Sequence, residues 1–206
     1  VHQVEELWMK LAAFTLAEVD EHLREGRIMR AITLFGRVHM LLRMMTEQLA
    51  LIETMSPYDY QAIRLQLGNG SGQESPGFQM LLTLPAGLWD SYRSLYLEPE
   101  GRTLTDIYDT GYAHDEAYVV AEALIEFDEL FQKFRAHHIY LVHRSIGMGS
   151  KAISGRAVDL LDAGARHRFF PELWAIRAQM TDRWGAEYGV KRDSIRHGDA
   201  GHGSGV

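Results

Sequence analysis

The stretch Phe127–Gly147, FDELFQKFRAHHIYLVHRSIG, decides the fold of this chain because it has the pattern of a long helix. Helical steps back from His138 reach Phe134 and Phe131, and a step forward reaches Leu141, so the imidazole lies on an otherwise apolar stripe. Similar helix-period patterns recur along the sequence, and no convincing alternating strand pattern accompanies them. The sequence therefore predicts an all-α fold in which this segment is the central helix.

Two interpretations of His138 fit the apolar stripe. One is a core histidine that hydrogen-bonds within the protein, and the other is an axial ligand of a haem iron. His137 and His143 do not complete a metal cluster with His138, because offsets of one and five residues point to other faces of a helix. Only His138 faces the stripe.

Composition limits the class of protein. The chain has 206 residues, of which 46% are hydrophobic and 24% charged, so it is predicted to form one helical domain with an adequate core. A formal net charge of -7 argues against nucleic acid and acidic membranes as partners. With no apolar run of membrane-spanning length and no leader pattern, we expect a cytoplasmic protein without a membrane partner. The absence of cysteine means that any haem is bound non-covalently and without a thiolate ligand.

Helix and loop signals divide the chain. Gly68–Gly77 is predicted to be a loop, and Leu84-Pro85 is predicted to lead into the helix that follows it. We assign residues 1–184 to the helical domain and 185–206 to a flexible tail rich in glycine and histidine. The predicted helices cover about 1–22, 27–54, 57–67, 86–97 and 115–146, a short segment from 155 to 163, and a last helix ending near 184.

Four motifs carry a family resemblance. Residues 135–147 read Arg-x-x-His-x-x-x-Val-x-Arg-x-Ile-Gly, and residues 2–10 read His-Gln-x-x-Glu-Leu-Trp-x-Lys. Tyr60-x-x-x-Arg64 and Gly77-Phe78-Gln79 lie between them, and Phe169-Phe170-Pro171-Glu172-Leu173 follows. Taken in chain order, the four segments resemble those of the tryptophan 2,3-dioxygenase superfamily, and the resemblance covers most of the chain. The resemblance implies a single-domain helical bundle of that type.

The resemblance also implies a cofactor and its ligand. His138 corresponds to the proximal ligand of haem b, and His2 to the catalytic histidine on the opposite, oxygen-binding face. Trp8 and Phe78 would then be aromatic residues that pack around the haem or pocket. Core packing is the alternative role for both.

The resemblance implies a clamp for an amino acid. Arg64 corresponds to the arginine that binds the substrate carboxylate, and Tyr60 lies one helical turn before it. The family threonine that contacts the substrate ammonium has no counterpart, because counting from His138 places Ala152 there. Ser150 or Ser154 would have to replace it.

The implied activity is oxidation of the indole C2–C3 bond of L-tryptophan or a substituted tryptophan with O₂. The alternatives are a tryptophan monooxygenase or tyrosine hydroxylase of the same superfamily, and a non-catalytic haem sensor. The expected partners are an aromatic amino acid and O₂. A homo-oligomer, dimer or tetramer, is also expected.

Overall fold

The structure is a computed structural model that describes residues 2–64, 75–99, 101–147 and 167–187. Within these ranges all regular structure is helical, which confirms the prediction of an all-α fold. None of the helices described there is long and apolar enough to cross a membrane. The helices are α1 (His2–Arg24), α2 (Ile28–Glu53), α3 (Pro57–Arg64), α4 (Pro76–Tyr96), α5 (Leu104–Tyr108), α6 (Glu116–Ile146) and α7 (Pro171–Glu187).

The long helices α2 and α6 lie side by side and run in the same direction. Nε2 of His39 donates a hydrogen bond to the carbonyl oxygen of Ala123 at 3.0 Å, toward the starts of both helices. His137 Nε2 and Glu53 Oε1 are 2.7 Å apart toward their ends. These contacts fix the register of the helix that carries His138.

Helix α4 runs parallel to α1. The backbone N–H of Gly77 donates to Glu6 Oε2 at 3.1 Å, and the Ser91 hydroxyl donates to Asp20 Oδ1 at 2.5 Å. The start of α4 is therefore level with the start of α1. Helix α4 meets α6 through stacked rings, since the ring centroids of Phe78 and Phe131 are 5.5 Å apart.

The predicted start of α4 at Leu84-Pro85 is wrong, as is the end of the predicted loop. Ser75 caps the helix by accepting a hydrogen bond from the Phe78 N–H at 3.1 Å, and Pro76 occupies the first turn. Pro85 is buried within α4, where it removes one backbone donor without ending the helix. The true start repeats the serine-proline pattern of residues 56 and 57, where the Asp59 N–H donates to the Ser56 hydroxyl at 3.1 Å.

Helix α1 has a buried and an exposed apolar face. It packs against α2, where Trp8 Nε1 donates to Gln48 Oε1 at 3.2 Å. Its buried face includes Met9, Ala12, Leu16, Val19 and Leu23. A second stripe is largely exposed and consists of Val4, Leu7, Leu11 and Phe14, at 42%, 66%, 44% and 57% exposure.

The fully buried carboxylate of Asp128 attaches α7 to α6. Its Oδ2 accepts hydrogen bonds from the backbone N–H groups of Phe169 and Phe170, at 2.9 and 3.3 Å, and from Trp174 Nε1 at 2.9 Å. Gln132 donates to its Oδ1 at 3.0 Å. One side chain thus satisfies several donors at the start of α7.

The sequence prediction missed α5, because it placed no helix between residues 97 and 115. Thr103 and Asp106 form a reciprocal capping box at its start. From its end, the Tyr108 hydroxyl donates to Glu122 at 2.8 Å, and Arg177 of α7 donates to both oxygens of the same carboxylate at 2.6 and 2.8 Å. This cluster joins α5, α6 and α7.

Candidate functional site

His138 lies near the end of α6, between the buried side chains of Phe134 and Leu141. No residue in the described ranges forms a hydrogen bond with its ring, which favours the interpretation as a ligand over that of a hydrogen-bonded core histidine. Burial, with a smaller contribution from nearby His2, lowers the pKa of His138 to about 4. The ring is therefore neutral near pH 7 and has a free nitrogen lone pair.

The other histidines of these helices have different surroundings. His39 is bonded to the Ala123 carbonyl, and its Nδ1 lies 3.3 Å from Glu126 Oε2. His137 is paired with Glu53 on another face of α6. Among the described residues, no three histidine or acidic side chains are placed to share a metal ion. His138 is therefore suited to act as the single protein ligand of a metal that brings its other ligands with it.

His2 is brought close to His138 although the two lie far apart in the sequence. It occupies the first turn of α1, is exposed to solvent, and adds a repulsive electrostatic contribution to the protonated form of His138. Desolvation by the surrounding protein lowers the pKa of His2 itself. Two largely neutral imidazoles thus come from different helices to one place.

The residues at this place fit an iron porphyrin. A haem needs a neutral imidazole that is not engaged by the protein, together with an apolar and aromatic surrounding. His138 supplies the imidazole. The stacked rings of Phe78 and Phe131, with Phe134 beside them, supply the aromatic surrounding. The described residues provide no acceptor for the second nitrogen of His138.

Contacts between the starts of α1 and α4 position the aromatic ring of Phe78. The Glu6 carboxylate accepts hydrogen bonds from the N–H of Gly77 and from the hydroxyl of Ser75. A Cβ atom at Gly77 would lie 2.6 Å from Cβ of Met9, so only glycine permits this approach. The contact holds Phe78 against α6. Trp8, also predicted to line the site, is partly buried and bonded to α2.

Helix α3 carries the candidate substrate clamp. It contacts α6, and its Tyr60 is partly buried. Arg64 is the last residue of α3, but its side chain lies outside the described residues. Ser150, Ala152 and Ser154 also lie outside them, as do the predicted helix from 155 to 163 and most of the predicted tail.

Sequence reasoning missed Glu5, one turn after His2. The residue is 7% exposed, and neither carboxyl oxygen has a hydrogen-bond partner in the part of the chain that the structure describes. Burial raises its pKa to about 7. The sequence did contain a signal for its burial, because Glu5 stands one helical turn before Met9 on the inward face of α1.

Two cavities lie elsewhere on the described part of the chain. The larger, about 690 Å³, lies between α2, α6 and α7 and includes Phe35, His39 and Trp174 in its lining. The smaller, about 390 Å³, adjoins His137 and Tyr140. His138 lines neither of them.

Comparisons with known proteins agree with this arrangement. The profile of the tryptophan 2,3-dioxygenase family matches residues 1–96, which include α1 and α4. The tryptophan 2,3-dioxygenase of Herpetosiphon aurantiacus is 30% identical in an alignment covering 87% of this chain and 86% of that protein. Those of Myxococcus xanthus and Shewanella woodyi are each 28% identical, covering 87% of this chain and 79% and 80% of those proteins. This similarity shows that the chain, a helical bundle with the imidazoles of His2 and His138 close together, belongs to the tryptophan 2,3-dioxygenase family.

Proposed function

We propose that the protein is a haem-dependent oxygenase of an aromatic amino acid, with L-tryptophan or a substituted tryptophan and O₂ as substrates. The observation that carries the proposal is the neutral ring of His138, which lacks a hydrogen bond to any described residue and lies close to His2. Relatives named tryptophan 2,3-dioxygenase support the substrate class.

His138 would hold haem b through one imidazole nitrogen. Activation of O₂ at a redox-active iron is the chemistry that the bound group supplies. The stacked rings of Phe78 and Phe131 would form the aromatic side of the haem environment. Trp8 would contribute a further aromatic ring from α1.

His2 would act on the substrate from the opposite side. Because its pKa is lowered, the imidazole can accept a hydrogen bond from the indole N–H near pH 7. Arg64 would donate two parallel hydrogen bonds to the substrate carboxylate, with Tyr60 beside it and Ser150 or Ser154 at the ammonium. Together these contacts would orient the C2–C3 bond toward the haem.

Insertion of one oxygen atom is a second candidate reaction. The observation that favours it is Ala152, which stands where the family resemblance places a threonine for the substrate ammonium. A changed amino-acid clamp would shift the ring over the iron, and product outcome depends on that placement. Tryptophan monooxygenation or tyrosine hydroxylation would then occur at the same site.

We further propose that the protein is a homo-oligomer, either a dimer or a tetramer. The exposed stripe of Val4, Leu7, Leu11 and Phe14 supports this assembly, because contiguous exposed apolar side chains on a helix commonly mark an interface.

The test of the proposed function is haem binding by His138→Ala. The variant should lose the Soret absorption of the wild-type protein after haem is added. His143→Ala is the matched control, because His143 lies on the same helix and its Nε2 is buried without a partner among the described residues. A Soret band of equal intensity and position in His138→Ala would overturn the proposal.

The product distinguishes the reactions. Incubation of the haem-loaded protein with tryptophan and O₂ should yield a product heavier by two oxygen atoms. A product heavier by one oxygen atom would assign the monooxygenase reaction instead.

Arg64→Ala should weaken amino-acid binding by ~1.5–3 kcal/mol, because it removes a charged donor of the carboxylate. The haem spectrum should stay unchanged. Calorimetric titration of both proteins with tryptophan measures the difference, and equal affinity would exclude Arg64 as the clamp.

A further inference from the structure

Glu5 is an unpaired buried carboxyl group beside the candidate site. Its side chain is 7% exposed, and both oxygens are buried without a hydrogen-bond partner among the described residues. The adjacent Glu6 differs, since it is bonded to Ser75 and Gly77 of α4. The two glutamates therefore differ: Glu6 joins two helices through its carboxylate, whereas the carboxyl group of Glu5 bonds to no described residue.

An unpaired polar group in a protein interior has a free-energy cost of several kcal/mol unless something satisfies it. Burial reduces part of this cost for Glu5 by raising its pKa to about 7, which favours the neutral form. A neutral carboxyl still has an O–H donor and a carbonyl acceptor that need partners. Since the described residues supply neither partner, a bound molecule that donates and accepts would satisfy both.

The position of Glu5 connects it with the aromatic end of the proposed substrate. Three residues of helix separate it from His2 by only about 4.5 Å along the axis of α1. His2 is close to His138, and α4 begins level with Glu6, so Glu5 lies where α1, α4 and α6 meet. Arg64, the proposed carboxylate clamp, comes from α3.

The hydrogen-bonding capacity of a neutral carboxyl selects among aromatic rings. A phenyl ring offers no partner, and an indole N–H can only donate and is already assigned to His2. A ring hydroxyl donates one hydrogen bond and accepts another, so it matches both the carbonyl oxygen and the O–H of Glu5. We propose that Glu5 makes the site selective for an aromatic amino acid whose ring carries a hydroxyl group. This inference rests on the proposed function and specifies its substrate.

A buried polar residue of this kind discriminates strongly. A site built to hydrogen-bond a substrate hydroxyl rejects the analogue that lacks it, because the protein group is left unpaired in that complex. A plain apolar ring should therefore bind poorly beside Glu5. Replacement of Glu5 by an apolar residue of similar size should remove the penalty.

The experiment measures dissociation constants by calorimetry for the haem-loaded protein. Two ligand pairs are compared: L-tyrosine with L-phenylalanine, and 5-hydroxy-L-tryptophan with L-tryptophan. In the wild-type protein we expect at least one hydroxylated ligand to bind about tenfold or more tightly than its partner. Glu5→Leu should abolish this preference, and Glu5→Gln should retain part of it. Glu18→Gln, at an exposed position of α1, is the control and should bind as wild type does.

The outcomes separate this inference from the proposed function. Equal affinities within both pairs in the wild-type protein would overturn the role of Glu5 and leave aromatic amino-acid binding intact. An undiminished hydroxyl preference in Glu5→Leu would overturn it as well. Binding of none of the four ligands by the haem-loaded protein would overturn the proposed function, and this inference with it.

Discussion

His138 and His39 lie on inward faces of neighbouring helices, yet the protein uses them differently. His39 is 5% exposed and has an acceptor at each nitrogen, so it joins α2 to α6. His138 has no hydrogen bond to a described residue and keeps a free lone pair. Helix periodicity places both rings inward but does not show what surrounds each nitrogen. For that reason the stripe alone left two interpretations of His138 open.

The stability of the protein should depend on pH through Glu5. The folded-state pKa of about 7 is above the ordinary value of 4.5, so the folded protein holds a proton that the unfolded chain releases. The associated stability is fully present below about pH 4.5 and is lost as pH rises through 7. Between these values the loss is on the order of 2–3 kcal/mol.

Urea unfolding at about pH 5 and about pH 8 measures this loss. Between these two pH values, the free energy of unfolding of Glu5→Gln should change by about 2–3 kcal/mol less than that of the wild-type protein. Glu18→Gln should retain the wild-type slope, because that carboxylate is exposed. Identical slopes in wild type and Glu5→Gln would show that Glu5 does not titrate on unfolding.

At the scale of elements, the bounds of α2 and α6 agree with prediction to within one or two residues, because long apolar periods and terminal signals coincide there. The start of α4 was misplaced because two prolines compete as helix starts, and only the capping contact of Ser75 decides between them. Helix α5 has five residues, fewer than two turns, so no period could reveal it. Its capping box, Thr103-x-x-Asp106, was the available signal.

The contact between α1 and α4 should be sensitive to one methyl group. A Cβ atom at Gly77 would lie 2.6 Å from Met9 Cβ and 2.9 Å from Glu6 Oε2, so Gly77→Ala must separate the helices. We expect a loss of about 1–3 kcal/mol in the free energy of unfolding. Gly36→Ala is the matched control within a helix, because a Cβ atom there meets nothing within 4 Å.

Gly36→Ala should stabilise the protein by about 0.5–1 kcal/mol, since alanine loses less backbone entropy than glycine in a helix. Thermal or urea unfolding of the two variants beside the wild type measures both effects. Equal stability of Gly77→Ala and the wild type would mean that the helices adjust without cost.

At the scale of the whole molecule, the site depends on tertiary contacts between distant segments. The resemblance named His2 and His138 as partners, but helix periods could not establish that they meet. That follows from the antiparallel packing of α1 against α2 and from the shared direction of α2 and α6. The roles proposed for Arg64, Ser150 and Ser154 remain predictions.

Asp128→Ala should destabilise the whole bundle by about 3 kcal/mol, because several buried donors lose their acceptor at once. Asp128→Asn should be intermediate, since its amide oxygen still accepts. Glu129→Gln changes the next residue, an exposed partner of Lys133, and should alter stability by less than about 0.5 kcal/mol. Equal effects of the substitutions at 128 and 129 in urea unfolding would contradict this role.

The attachment of α7 through Asp128 has a consequence for synthesis of the chain. The acceptor belongs to α6, whereas its donors lie at the start of α7, so the last helix can dock only on a bundle that already exists. Until that happens, Phe127 and Trp89 lack the rings of Phe169 and Phe170 that cover them. A ribosome-bound or prematurely terminated chain would therefore present bare aromatic surface to chaperones and to other nascent chains.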